Sequence, residues 1–163
     1  MKRNILNYFI CGFSGAGKST LLKSLEKNAV SHLMLIDLDE YITSQYLAKD
    51  DSIANFIDLK GISEFRNLEL EAISLISEQD NVLLSLGGGS LTNQTLSILK
   101  DWKGFWLNTN FETCWERIRD DDQRPLTKLG KEKMRELFLE RKELYSKYLT
   151  IENHEDLIHY LNI

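Results

Sequence analysis

Short apolar runs punctuate the chain at residues 8–11, 33–36, 82–86 and 105–107, with 149–151 a weaker fifth. The first four are continuous in apolarity rather than alternating, broken only at Ser85, the pattern of parallel strands covered on both faces. Segments of helical spacing lie between them. Residues 19–27 follow the first run, and 64–77 set Phe65, Leu68, Ala72, Ile73 and Ile76 on one face. A shorter helix is expected over 95–102, with Thr92 as a candidate cap, and further helices over 111–119, 131–148 and 155–161. Residues 40–61 carry no strand pattern and are expected to form small helices outside the sheet. Alternation of strand and helix predicts an α/β fold around a parallel sheet, in one domain with excursions.

The turn between the first apolar run and the first helix reads Gly12-Phe13-Ser14-Gly15-Ala16-Gly17-Lys18-Ser19, a match to GxxxxGK[ST]. Four fixed positions recur by accident in roughly one chain in a hundred or fewer, and the strand–loop–helix context is the one the mechanism needs. Glycines allow the tight turn that brings successive N–H groups onto phosphates, and the helix adds its positive N-terminal end. Gly15, Ala16, Gly17, Lys18, Ser19 and Thr20 are the expected nucleotide contacts. Lys18 is expected to reach the β- and γ-phosphates, and the Ser19 hydroxyl a Mg²⁺ ion. The pattern predicts nucleoside triphosphate binding.

With 163 residues the chain suits a single domain large enough to build its own core. Its 20 Lys+Arg against 25 Asp+Glu leave a net charge of -5. That balance excludes a broad nucleic-acid or membrane-binding surface, but not an anionic small molecule in a local basic cleft. No apolar run approaches the 18 residues of a membrane span, and the N-terminal apolar stretch is better explained as a first core strand than as a leader. Cys11 and Cys114 stand alone, without CxxC or Cys/His spacing, and fit free thiols in a reducing cytoplasm. His32, His154 and His159 show no metal or catalytic spacing. Trp102, Trp106 and Trp115 fall on core patterns, and the acidic run 120–122 is expected to be solvated.

Four further motifs carry chemistry. Asp37 and Asp39 end the second apolar run, where the carboxyl ends of parallel strands face a ligand crevice. Their spacing of two sets both on one strand face if the strand persists. The pair is either an ordinary strand-end turn or, beside the phosphate loop, one carboxylate to support the metal and another to accept a hydroxyl hydrogen bond. Arg66 and Glu69, three apart, form either a solvated ion pair or an Arg fork oriented by Glu69 onto a substrate carboxylate. Gly87, Gly88 and Gly89 close the third run, as a plain turn or as a place where a ligand approaches backbone amides. Arg124 precedes Pro125, the chain's one proline, which biases it to an extended backbone; it is either a plain loop arginine or a guanidinium presented over phosphates.

Taken in order, GFSGAGKST, the DLD pair before Glu40-Tyr41-Ile42, SIANFIDLKGISEFRNLE, SLGGG, RPL and Arg141-Lys142-Glu143-Leu144-Tyr145 resemble the shikimate kinase family over nearly the whole chain. The resemblance implies a three-layer P-loop kinase fold: a five-stranded parallel sheet in order 2-3-1-4-5 flanked by helices, with a lid near residues 120–130 and a substrate-binding helical excursion near 38–66. It implies phosphoryl transfer from MgATP to the 3-hydroxyl of shikimate by a cytoplasmic, monomeric enzyme. Lys18 and Ser19 would serve ATP and Mg²⁺, with Asp37 supporting the metal through water. Asp39 would bind the reacting hydroxyl and act as its base. Arg66 and Arg141 would clamp the shikimate carboxylate, Gly87, Gly88 and Gly89 would add backbone contacts, Arg124 would be the lid arginine, and Arg117 would lie against adenine.

The chain departs from the family pattern at Ile62, where an acidic residue commonly precedes the FR pair, and at a few extra residues near 47–51. Thr127 and Glu143 likewise replace a common Leu and a frequent Pro. A related kinase for another small hydroxy acid such as gluconate, and a nucleotide-binding regulatory homologue without turnover, are the alternatives.

Overall fold

Residue Tyr8 lies opposite Leu83 on one side and Lys103 on the other, in a computed structural model that describes residues 6–26 and 32–161. The central strand β1 (Tyr8–Cys11) thus pairs in parallel with β3 (Val82–Ser85) and β4 (Lys103–Leu107). Strand β2 (Met34–Asp37) adds to the outside of β3, and β5 (Leu149–Ile151) to the outside of β4. The order is β2-β3-β1-β4-β5, all parallel, as the family resemblance implies. The continuous apolarity of β1 and β3 follows from burial at every position. The second apolar run departs from that expectation: β2 is an edge strand, and Met34 is 49% exposed.

The helices are α1 (Lys18–Glu26), α2 (Leu38–Tyr46), α3 (Ile53–Lys60), α4 (Ile62–Ile76), α5 (Asn93–Ile98), α6 (Phe111–Ile118), α7 (Lys131–Tyr145) and α8 (His154–Leu161). The expected end of the first helix at Lys27 lies outside the described residues. The segment 40–61 does form short helices rather than strands. Helix α1 packs on α8 and against β2 and β3, while α2, α3 and α5 gather around α4, and α6 packs on α7. Helix starts follow side-chain chemistry. Asp37, Ser52, Thr92 and Asn110 each accept a backbone N–H at an N-cap, and Thr92 with Thr95 completes a capping box. A 3₁₀ turn over Pro125–Leu129, which the residue pattern did not reveal, begins at the proline.

The sheet core explains one residue that strand propensity alone does not. Gly104 sits mid-strand in β4, directly opposite Phe9. A β-carbon there would collide with the Phe9 ring and stand 2.5 Å from Tyr148 Cδ1. Phe9 and Tyr148 meet edge to face at 5.0 Å, so the glycine makes room for an aromatic pair spanning two layers. Gly104→Val should lower stability by about 1–3 kcal/mol through overpacking, read as a lower urea midpoint at unchanged slope. Leu59→Ala, at a residue 79% exposed, should stay within about 0.5 kcal/mol of the parent.

Candidate active site

All five strands run the same way, so the loops after β1, β2 and β3 open on one edge of the sheet. The loop after β1 is held in shape by backbone conformations that favour glycine, with φ of +81° at Gly15 and +101° at Gly17. Gly15 has no space for a side chain either: a β-carbon would stand 2.6 Å from the Cys114 carbonyl oxygen. The loop's carbonyls are taken from outside. Thr109 Oγ1 donates to Ala16 O at 2.9 Å, and Arg117 Nη1 donates to Gly15 O at 3.0 Å and Ala16 O at 3.3 Å. Lys18 opens α1 and is buried, its Nζ donating to Gly12 O (2.7 Å) and Phe13 O (3.0 Å). Burial pulls its pKa down to about 8, partly opposed by the Asp39 carboxylate.

Ser19 Oγ donates to Asp37 Oδ2 at 2.6 Å, while Asp37 Oδ1 accepts from the backbone N–H of Asp39 and Glu40. The strand therefore stops at Asp37, which caps α2, and Asp39 belongs to the first helical turn. The expectation of both carboxylates on one strand face is corrected: helical winding, not strand alternation, separates them. Asp39 instead projects into the cleft. Protein packed around that cleft pushes its carboxyl pKa up to about 6, with burial the leading cause and Asp37 and Glu69 adding repulsion against the pull of Lys18 and Arg124.

Two cavities meet here. One, about 220 Å³, is lined by Gly15, Gly17, Lys18, Ser19, Thr20, Asp37 and Arg117. The other, about 190 Å³, is lined by Arg66, Glu69, Gly89 and Arg141, with Ile53, Ile57, Ile62 and Phe65 as an apolar wall. Ser14, Asp39, Gly87, Gly88, Ile118 and Arg124 border both. The two chambers thus share a wall that carries one carboxylate and one guanidinium. At the far end of the second chamber, Arg66 is ion-paired to Glu69, which is 2% exposed. A β-carbon on Gly89 would collide with Arg66 Nη2 and lie 2.7 Å from Arg141 Nη2, so both guanidinium groups converge on that glycine. Burial lowers the Arg141 pKa and Arg66 lowers it further, so two cations crowd a site suited to an anion.

Arg124 is held at both ends, Nε donating to Asp121 Oδ2 (2.9 Å) and Nη1 to Ser14 Oγ (2.7 Å). Asp121 thereby departs from the solvated acidic run expected of 120–122. The backbone of Arg124, at φ -119° and ψ 89°, is extended as its place before proline requires. Arg117 also borders a recess of about 320 Å³ with Thr20, Leu107, Thr109, Asn153 and His154.

Sequence reasoning missed Ser14, Ser90, Tyr145 and the isoleucine wall. Ser14 occupies a variable position inside the phosphate loop and Ser90 merely follows the glycines. The Tyr145 hydroxyl, which donates to Gly88 O, comes from a distant helix. Glu69 left one signal, because it lies on the apolar stripe of α4 that buries Phe65, Ala72, Ile73 and Ile76.

For a metal, Ser19 Oγ and Asp37 Oδ2 offer hard oxygen donors beside the phosphate loop. Among the described residues no group of three or more His, Cys, Asp or Glu could hold an ion by itself. The donor set fits a cation that brings phosphate oxygens with it.

A phosphate loop on a 2-3-1-4-5 parallel sheet, opening into a second chamber for a small anion, defines a P-loop kinase that acts on a small molecule. The shikimate kinase family model matches residues 14–159, and the chain belongs to that family. It is an ATP-dependent phosphotransferase. A shikimate kinase of Sulfurihydrogenibium sp. is 35% identical over 142 residues, covering 85% of this chain and 82% of its own. That of Lactococcus lactis subsp. lactis is 37% identical over 153 residues, covering 90% and 88%. The shikimate kinase of Acinetobacter baumannii, solved in complex with shikimate, superposes with a TM-score of 0.83 at 26% identity, over 97% of this chain and 91% of that one.

Asp39 carries a testable stability signature. Its folded pKa of about 6 lies above the ordinary 3.8, so ionisation opposes folding above that range and costs nothing below pH 3.8. Asp39→Asn should melt several degrees higher than the parent at pH 8 by calorimetry, and the difference should shrink toward zero near pH 4.

Proposed function

We propose that the protein transfers the γ-phosphoryl group of ATP to the 3-hydroxyl of shikimate, giving shikimate 3-phosphate and ADP. The observation that carries this reading is the shared wall: Asp39 and Arg124 border both chambers, while Arg66 and Arg141 close the far end of the second. An acceptor whose carboxylate meets the two arginines extends its ring toward Asp39. The apolar side of Ile53, Ile57, Ile62 and Phe65 suits the carbon face of a rigid ring better than a chain of hydroxyls.

Lys18, Ser19 and the loop amides, with Gly15, Ala16, Gly17 and Thr20, hold the triphosphate, and the recess that Arg117 borders with Thr20, Asn153 and His154 takes the adenine base. Mg²⁺, held by Ser19 and through water by Asp37, would neutralise phosphate charge when bound. Arg124 leaves Ser14 for the γ-phosphate and spreads charge that builds there during transfer. Asp39 accepts the hydrogen bond of the reacting hydroxyl and takes its proton. Gly87, Gly88 and Gly89 allow the acceptor to lie against the backbone. Because phosphoryl transfer has a loose transition state, alignment contributes more than basicity.

The whole chain, 1–163, is read as one kinase domain, with its acceptor region at about 38–66 and its lid at about 120–130. The protein is read as a monomer. The free, buried Cys11 and Cys114 suit a reducing cytoplasm.

Coupled ADP-release assays with shikimate, gluconate and nucleoside monophosphates test the acceptor. Shikimate should be turned over at least tenfold more efficiently than the others, and equal or better turnover of gluconate would overturn the assignment. Arg66→Ala and Arg141→Ala should each raise KM for shikimate about 10- to 100-fold, the loss of one charge-assisted hydrogen bond, with KM for ATP little changed. The kcat/KM for shikimate should fall as pH drops through about 6, where Asp39 gains its proton.

A further inference from the structure

Glu69 is a carboxylate 2% exposed, and in an apolar helix face such a group persists only if both oxygens find donors. They do so asymmetrically. Oε2 accepts from Arg66 Nη1, and Oε1 accepts from the hydroxyl of Ser90, which is 0% exposed. Ser90 is fixed in turn from below: its carbonyl accepts from Thr95 Oγ1 at 2.7 Å, and Thr95 belongs to the capping box of α5. A relay therefore runs from the start of α5 through Ser90 and Glu69 to Arg66 on α4.

The asymmetry has a chemical consequence. A planar guanidinium and a free carboxylate prefer two parallel hydrogen bonds. If Oε1 lacked the Ser90 hydroxyl, Glu69 would turn to engage a second nitrogen of Arg66. That second contact would draw on the donors now directed at Gly89 beside Arg141.

We propose that Ser90 is a positioning residue for acid recognition: by holding one oxygen of Glu69, it limits the carboxylate to a single contact with Arg66 and keeps Arg66 Nη2 free for the carboxylate of the acceptor. The inference rests on the reading of Arg66 as part of the acceptor clamp. Ser90 touches no substrate atom, and its effect passes through Glu69.

Ser90→Ala tests it, assayed with shikimate and with its uncharged primary carboxamide. The variant should raise KM for shikimate about tenfold, with kcat within about twofold and KM for ATP unchanged. Efficiency toward the carboxamide should fall much less, because its carbonyl oxygen makes only a neutral-acceptor hydrogen bond with Arg66 in place of the charge-assisted one. In an Arg66→Ala background, Ser90→Ala should add nothing further. If the alanine variant does not yield folded protein, Ser90→Cys keeps a weaker donor of similar size and should show a smaller rise, about threefold, with the same selectivity for the charged acceptor. Equal losses toward acid and amide, or additive losses with Arg66→Ala, would mean that Ser90 only supports packing, and the proposal fails. No turnover of shikimate by the parent enzyme overturns the acceptor assignment and this inference together; turnover with unselective losses overturns this inference alone.

Discussion

Parallel pairing of β1 between β3 and β4 is the constraint on which everything else depends. With β2 paired to the outside of β3, it brings three chain segments far apart in sequence, the phosphate loop, the Asp37 cap and the glycine run, to one edge of the sheet. Gly88 then lies so close to the phosphate loop that a β-carbon on it would stand 2.8 Å from Ser14 N. That contact is what makes two chambers share a wall. A sheet in which β2, β3 and β1 were not neighbours in that order would separate the phosphate loop from Asp39 and the glycine run.

Charge at this edge is arranged so that the protein alone leaves it unbalanced. Lys18 loses affinity for its proton through burial, Arg141 is crowded by Arg66, and Asp39 is raised by burial and two neighbouring carboxylates. None of these groups would be selected for stability of the chain by itself. Each is better matched once anionic ligands enter. The partners visible in the structure are internal: Gly12 and Phe13 carbonyls for Lys18, Asp121 and Ser14 for Arg124. They are neutral carbonyls, a hydroxyl and one half-exposed carboxylate, groups that the phosphate oxygens of the proposed reaction would replace as acceptors.

The acidic net charge of -5 is consistent with this arrangement. Many of the acids lie on exposed helix faces, where Glu112 pairs with Lys131 and Arg135, and Glu116 with Arg119. The cations directed at the chambers are backed by backbone carbonyls, by an aromatic ring in the case of Arg141 over Phe13 at 5.7 Å, by Glu69 for Arg66, or by Asp121 and Ser14 for Arg124. The cleft is a focused positive site in an acidic molecule, which favours small anions over extended ones.

The residue pattern by itself determined the strand runs, most helices, the phosphate loop and the identity of nearly every charged group at the site. Those signals are local: apolar runs set strands, 3.6-residue spacing sets helices, and glycines at given intervals set a turn. Only the tertiary structure decided which polar groups meet. Asp39 left the strand face assigned to it because Asp37 spends its side chain capping α2, a choice between strand and helix that depends on packing around α4. Arg66 and Glu69 could have been a surface pair until Ser90, 21 positions on, closed over the carboxylate. Ser14 and Tyr145 lie within motifs and Ser90 just beyond one, yet none of the three shows a role there, because a single hydroxyl acquires a role only from the partner brought to it, and those partners come from other elements of the fold.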